Sequence, residues 1–174
     1  MNELRKASLS DYDAIIAFYD DVTAHTPDII HHARWQKGKH PTAEGVRSYI
    51  EEGSMYVHEE QGSIIGVMAL TMYQDDMYHA VAWSRLLPDD AVAVLHIFAV
   101  SPDCQGKGLG ARLVRAAIEL ARENGKKAVR LDTLASNVPA QHLYESLGFQ
   151  YRGKQYLYAE NTAWTDFFFY EFEI

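Results

Sequence analysis

The chain of 174 residues has little of several features that would assign it to a specialised class. Its single cysteine, Cys104, cannot form an intramolecular disulfide, which favours a reducing, cytoplasmic environment. The first residues contain no apolar core typical of a signal peptide, and no apolar run approaches the roughly 18 residues of a membrane helix. An excess of positive charge is also absent, since the 16 basic residues are outnumbered by 24 acidic ones and the formal net charge is −8. We therefore expect a cytoplasmic protein that binds neither nucleic acid nor membranes.

Apolar and aromatic residues are plentiful, at 48% and 12% of the chain. This content is enough to form one sizeable core, and the length is usual for one domain. We predict a single domain over residues 1–174. Polar clusters at 25–40 suggest a loop or irregular helix, while residues 75–90 have no assigned state.

The apolar periodicity predicts the element order β-α-α-β-β-β-α-β-α-β-β. Residues 91–100 are apolar at nearly every position, which indicates a central strand covered by helices on both faces. The predicted strands are 4–8, 55–58, 63–73, 91–100, 128–133 and two within 155–174, and the predicted helices follow Ser10, Thr42, Gly108 and Asn137. We expect one mixed α/β structure.

A glycine-rich segment, Gln105-Gly106-Lys107-Gly108-Leu109-Gly110, lies between the central strand and the strongest predicted helix. Alternate glycines let the backbone approach a ligand closely, and the free N–H groups at a helix start favour an anion. A turn alone does not require three glycines. The segment therefore predicts a phosphate-binding loop.

Two nucleotide-binding alternatives compete for this loop. A P-loop needs a hydroxyl residue after its lysine, but Gly108 follows Lys107. The pattern Gly106-x-Gly108-x-x-Ala111, with Asp132 downstream, does match a dinucleotide fingerprint. However, residues 101–105 separate the strand from its first glycine, and no βαβ unit opens the chain. A dinucleotide-dependent oxidoreductase is thus a weaker alternative.

Two motifs occur in order: Val100-x-Pro102 with Gln105-x-x-Gly108-x-Gly110, then Asn137-x-x-Ala140-x-x-x-Tyr144-x-x-x-Gly148-Phe149. Together they resemble the GNAT superfamily of N-acetyltransferases. The strict match covers about one third of the chain, and residues before Ala91 match only in their pattern of elements. The resemblance implies an α/β, single-domain GNAT-type fold: a central, mixed, mostly antiparallel sheet with helices on both faces.

The resemblance also implies the coenzyme site, with acetyl-CoA as co-substrate and no metal. Strand backbone would pair with the pantetheine arm, and the glycine loop would hold the pyrophosphate. The implied coenzyme contacts are Phe98, Ala99, Val100, Gln105, Gly106, Lys107, Gly108, Leu109, Gly110 and Asn137. Asn137 can equally cap the helix that follows it. Lys107 and Arg112 either meet the phosphates or face solvent.

The implied reaction is transfer of an acetyl group to a primary amine by direct attack. Tyr144 matches the tyrosine facing the sulfur, so it is the candidate general acid for the leaving thiolate. By helical spacing alone, Tyr144 would be a core aromatic beside Ala140 and Leu147. The other class of function is a non-catalytic acyl-CoA-binding or sensor domain, which the presence of Tyr144 disfavours.

The base and the acceptor are less well defined by the sequence. His96 has the same strand parity as Phe98 and Val100, although a buried structural histidine is the commoner case. Asp132 is interpreted as a strand end. The acceptor is expected to be a small-molecule amine or a peptide amine; a homodimer is left open. Acidic pairs at 75–76 and 89–90 give a weaker hypothesis of a small cationic amine, or else are solvated loop charges.

Overall fold

The computed structural model describes residues 3–174, which contain one seven-stranded sheet. Its order is β1-β2-β3-β4-β5-β7-β6, with β4 and β5 parallel and every other neighbouring pair antiparallel. The strands are β1 Arg5–Lys6, β2 Met55–Glu60, β3 Ser63–Thr71, β4 Val92–Val100, β5 Ala128–Leu134, β6 Gln150–Ala159 and β7 Ala163–Glu173. The helices are α1 Tyr12–His25, α2 Ile29–Ala33, α3 Ala43–Glu52, α4 Leu109–Glu123 and α5 Val138–Ser146.

This order confirms the predicted sequence of elements and the mixed, mostly antiparallel sheet. The short helix α2 lies in the segment predicted to be a loop or irregular helix. Strand β6 begins at Gln150 rather than at 155, because Gly148 ends α5 with a φ of 95° and the chain then turns directly into the sheet. A bulge at Gly153 hides the early part of this strand from pattern analysis.

Helices cover both faces of the sheet, as predicted. On one face, α4 and α5 pack on a core that contains Leu113, Ala117 and Tyr144. On the other face, α1 and α3 cover β2 and β3 through residues such as Ile15 and Val46. No helix among residues 3–174 combines the length and apolar content needed to cross a membrane.

The segment 74–91 covers the rest of that second face, over β4, β5 and β7. It contains only short 3₁₀ turns, and the buried Tyr78 and Val81 pack against Val92, Val94 and Phe169. Apolar periodicity predicts no secondary structure for this segment, because tertiary contacts determine its conformation. This segment and the helices α2 and α3 border the site.

Candidate active site

The two parallel strands β4 and β5 separate towards their C-terminal ends. They pair from Val92 opposite Ala128 to Val94 opposite Arg130, and no pair within residues 3–174 continues beyond this point. Further along, β5 remains paired with β7 and β4 with β3. Beyond this point each of the two strands therefore has a backbone edge without a partner strand in the described part of the chain, and these edges face each other across a cleft.

A β-bulge in β4 lies at the start of this separation. Val67 is opposite Ala99, but Ala69 is opposite His96, so β4 has one more residue than β3 in this interval. Ile97 within the bulge has a φ of 41°, which a β-branched residue adopts only when its surroundings enforce it. A bulge bends and twists its strand, which turns the end of β4 away from β5.

The prediction that His96 lies on the same face of the strand as Phe98 and Val100 is wrong, because the bulge lies between them. Phe98 and Val100 pack with the α4 core, whereas His96 lies on the opposite face, where its ring stacks on Tyr49 at a centroid distance of 5.6 Å. His96 nevertheless lines the cleft, and Thr71 Oγ1 lies 3.3 Å from its Nε2. Burial lowers the pKa of His96 from its usual 6.5, so the imidazole is neutral at neutral pH and able to accept a proton.

The glycine loop has the geometry of an anion cradle. Gly106 and Gly108 have φ values of 73° and 84°, and a Cβ atom on either would enter open space. Gly108 precedes the first residue of α4, so the free N–H groups of the first helical turn and the helix dipole point towards this space. The loop can therefore hold phosphate oxygens through its backbone.

The side chains of the loop are held mainly by protein groups. The amide of Gln105 donates to Thr26 Oγ1 at 2.9 Å, which connects the loop to the end of α1. The ammonium of Lys107 donates to the carbonyl of Asp103 at 2.7 Å. Leu109 is buried in the core, so only its backbone can contact a ligand.

Asn137, a predicted coenzyme contact, and Arg112, for which phosphate binding is one of two alternatives, differ in their surroundings. Asn137 caps α5, because its side chain accepts a hydrogen bond from the N–H of Ala140 at 3.3 Å, and it also lines the cleft. Arg112 instead contacts His58 and Glu60, with its guanidinium 3.0 Å from the Glu60 carboxylate. This pairing favours a structural role for Arg112 over phosphate binding.

Tyr144 is part of the core and also borders the cleft. Its ring is 8% exposed and packs against Phe149 and Tyr170, with centroid distances of 5.6 and 6.4 Å. The residue also lines the cleft, and among residues 3–174 its hydroxyl has no hydrogen-bond partner, without being fully enclosed. Burial, with Asp132 nearby, raises the pKa of Tyr144 well above its usual value. The phenol therefore stays protonated, as a proton donor must.

The cleft has a volume of about 1100 Å³ and runs from the glycine loop to the opposite side of the sheet. Aromatic residues such as Trp35, Tyr49 and Phe167 form much of its wall. Its charged side chains are acidic, and no lysine or arginine among residues 3–174 lines it. The carboxylates in its lining belong to Asp28, Asp75 and Asp132. These carboxylates attract cations.

Asp132 is the residue that the sequence analysis interpreted too simply. It does lie near the end of β5, but its carboxylate faces the cleft region and accepts a hydrogen bond of 2.6 Å from the hydroxyl of Tyr78. A signal existed: Arg130 and Asp132 alternate with the apolar Val129 and Leu131 in an otherwise buried strand. Such alternation indicates that the polar side chains on one face of the strand have specific partners or a role in a site.

The sequence pattern of the acetyltransferase (GNAT) family matches residues 16–149, well over half of the chain. The chain belongs to this family. This membership confirms the family that the two motifs predict. The alternative prediction of a dinucleotide-dependent oxidoreductase is therefore wrong. Members of the GNAT family use acetyl-CoA as acetyl donor, which is the co-substrate predicted from the sequence.

Curated GNAT relatives resemble only part of this chain. The mycothiol acetyltransferase of Rhodococcus jostii (strain RHA1) is 32% identical over 87 residues, which is 48% of this chain and 28% of that protein. An uncharacterised N-acetyltransferase of Methanocaldococcus jannaschii is 30% identical over 100 residues, 58% of this chain and 40% of that protein. The chain thus spans well under half the length of these relatives.

Solved GNAT structures share the whole fold. A GNAT acetyltransferase from Streptococcus agalactiae superposes with a TM-score of 0.80 at 22% identity, covering 98% of this chain and 94% of the other. A candidate acetyltransferase from Salmonella typhimurium, solved with its cofactor acetyl-CoA, gives a TM-score of 0.69 at 22% identity and covers 98% and 92%. These similarities confirm the predicted fold class.

Proposed function

We propose that this GNAT protein transfers an acetyl group from acetyl-CoA to the primary amine of an acceptor molecule that has no anionic group. The observation behind this proposal is the composition of the cleft. The cleft combines an anion cradle, a protonated phenol and three carboxylates, without a lysine or arginine in its lining among residues 3–174.

The donor end suits acetyl-CoA. The free edge of β4 at Phe98, Ala99 and Val100 offers backbone groups to an amide-containing arm, in the manner of an added strand. The space beyond Gly106 and Gly108, together with the start of α4, suits a pyrophosphate. Asn137 on the opposite wall is in the lining and can contact the same molecule.

The chemistry needs a deprotonated amine and a protonated leaving group. The amine lone pair forms a bond to the thioester carbon, the carbon–sulfur bond breaks, and the thiolate takes the phenolic proton of Tyr144. The Tyr144 phenolate then recovers a proton from the acylated nitrogen, which leaves a neutral amide. The acceptor ammonium first loses a proton, and we assign this proton to the neutral imidazole of His96, which lines the cleft. Backbone N–H groups of β4 can stabilise the oxyanion between these events.

The acceptor end selects for charge. Asp132 lies in the same cleft as Tyr144 and His96, which supports a role for its carboxylate in binding the reacting ammonium. Asp75 adds a second negative charge, whereas an amino acid would need a cation for its own carboxylate. We therefore propose amines such as 1,4-diaminobutane and tyramine as acceptors, in preference to glycine or glutamate.

The test is release of free thiol from acetyl-CoA with these four amines at equal concentration. The proposal expects turnover with 1,4-diaminobutane or tyramine and little with glycine or glutamate. Preference for the two amino acids would overturn the acceptor class. Tight acetyl-CoA binding without turnover of any amine would instead support the non-catalytic alternative, for which no structural feature argues.

A further inference from the structure

Tyr78 lies outside the cleft lining but contacts one of its carboxylates. Its side chain is fully buried in the segment 74–91, and its hydroxyl donates to Asp132 Oδ1 over 2.6 Å. Burial and the nearby carboxylate raise the pKa of Tyr78 well above its usual value, so the phenol remains a hydrogen-bond donor at any working pH.

The ring of Tyr78 is held from two sides. It stacks on Trp83 with a centroid distance of 5.7 Å and an interplanar angle of 8°, and Phe169 packs against it edge-on at 5.4 Å. The indole N–H of Trp83 also donates to the carbonyl of Tyr78 at 2.7 Å. The hydroxyl therefore has little freedom to move.

A buried ion pair fixes the segment itself to the sheet. The guanidinium of Arg130 lies 4.2 Å from the centre of the Trp83 ring and pairs with Glu171 at 2.8 Å. It also donates to the side chain of Gln74 at 2.7 Å and to the carbonyl of Arg85 at 3.1 Å. A network with every partner satisfied is rigid, so it specifies one position for Tyr78.

We propose that Tyr78 is a positioning residue for the acetyl acceptor. It holds Oδ1 of Asp132 and thereby presents Oδ2 to the acceptor ammonium. This inference rests on the proposed function, because it assumes that Asp132 binds the amine. A carboxylate held by a fixed donor loses less rotational freedom when it binds a cation, which favours tighter acceptor binding.

The test compares two tyrosine-to-phenylalanine variants with 1,4-diaminobutane and tyramine as acceptors. Tyr78→Phe keeps the stacked ring and removes the bond to Asp132. Tyr170→Phe is the matched control, because Tyr170 is 1% exposed and its hydroxyl donates to Glu145 at 2.8 Å away from the cleft lining. Melting temperature and acetyl-CoA affinity are measured for both.

We expect Tyr78→Phe to lower kcat/KM for the acceptor by about 2- to 10-fold, the effect of ordering one more side chain on binding. The loss should come through the acceptor KM, with the KM for acetyl-CoA unchanged. Tyr170→Phe should retain the parent kinetics. Equal kinetics in the two variants would overturn the inference and leave the proposed function intact.

A second variant covers the case in which Tyr78→Phe does not fold. Asp132→Glu keeps Tyr78 and the charge but moves the carboxylate by one methylene group, so it should raise the acceptor KM similarly. An unchanged KM in Asp132→Glu would overturn the inference, since the carboxylate position would then be unimportant. A wild-type protein that acetylates no amine would overturn the proposed function and this inference together.

Discussion

The proposed donor side of the cleft presents mostly backbone groups, whereas the proposed acceptor side presents side chains. On the donor side, the free edge of β4 and the loop around Gly106 and Gly108 come from one continuous stretch. On the acceptor side, Tyr49, Asp75 and Asp132 come from three separate elements. A binding site made of backbone groups survives most side-chain substitutions, so proteins of different sequence can have the same one. A site made of side chains changes its specificity with each substitution.

Tyr144 lies where the two sides meet, and its variant should have the largest effect. Tyr144→Phe keeps the ring in the core but removes the proton donor. We expect kcat to fall by about 10²- to 10⁴-fold, with the acetyl-CoA KM and the melting temperature nearly unchanged. Steady-state thiol release measures this, and a wild-type kcat would mean that Tyr144 is only a core aromatic.

Gly108 tests whether the donor side depends on backbone space. Gly108→Val places a branched side chain in open space at a φ of 84°, so backbone strain of about 1–2 kcal/mol accompanies any loss of binding. Gly125→Val has a similar φ, 72°, and equally open space at the other end of α4, so it serves as a control for the strain.

By calorimetry, we expect acetyl-CoA affinity to fall at least about tenfold, or about 1.4 kcal/mol, in Gly108→Val and to change little in Gly125→Val. Both variants should lose similar stability to denaturant. Parent-like affinity in Gly108→Val would show that the loop does not hold the coenzyme.

Asp75 tests the acceptor side by its charge. Asp75→Asn should raise the KM for 1,4-diaminobutane by about two- to fivefold, since an exposed charge pair contributes less than about 1 kcal/mol. The wild-type KM should rise with ionic strength, and this dependence should weaken in the variant. A KM that does not respond to salt in the wild type would remove the basis for a cationic acceptor.

The smallest expected effect is that of His96 on the free energy of unfolding below neutral pH. Burial lowers its pKa in the folded protein below the usual 6.5, so the unfolded chain binds the proton more readily. The stability from neutral His96 is fully present above pH 6.5 and is lost as the pH falls below it. Urea unfolding of wild type should therefore weaken more steeply below pH 6.5 than that of His96→Gln. His40, whose pKa burial also lowers, is present in both proteins.

Most of the fold could be predicted because its signals are local. The glycines at 106 and 108 and the helical spacing of Leu113 and Ala117 each depend on neighbours within a few residues. The bulge at Ile97 has no such signal, because it arises from how β3 and β4 pair. It moved His96 to the opposite face from the one its parity predicts.

The sequence by itself therefore determined the order of elements and the family, and it predicts the anion cradle and the role of Tyr144. These follow from short-range patterns of apolar residues and glycine, whose physical meaning is the same in any context. Only the tertiary structure decided which side chains meet in the cleft. The hydrogen bond between Tyr78 and Asp132 joins residues 54 positions apart. It depends on the ion pair of Arg130 and Glu171, because Arg130 also holds the segment 74–91, which contains Tyr78. Such contacts depend on packing across the whole sheet, which no local pattern specifies.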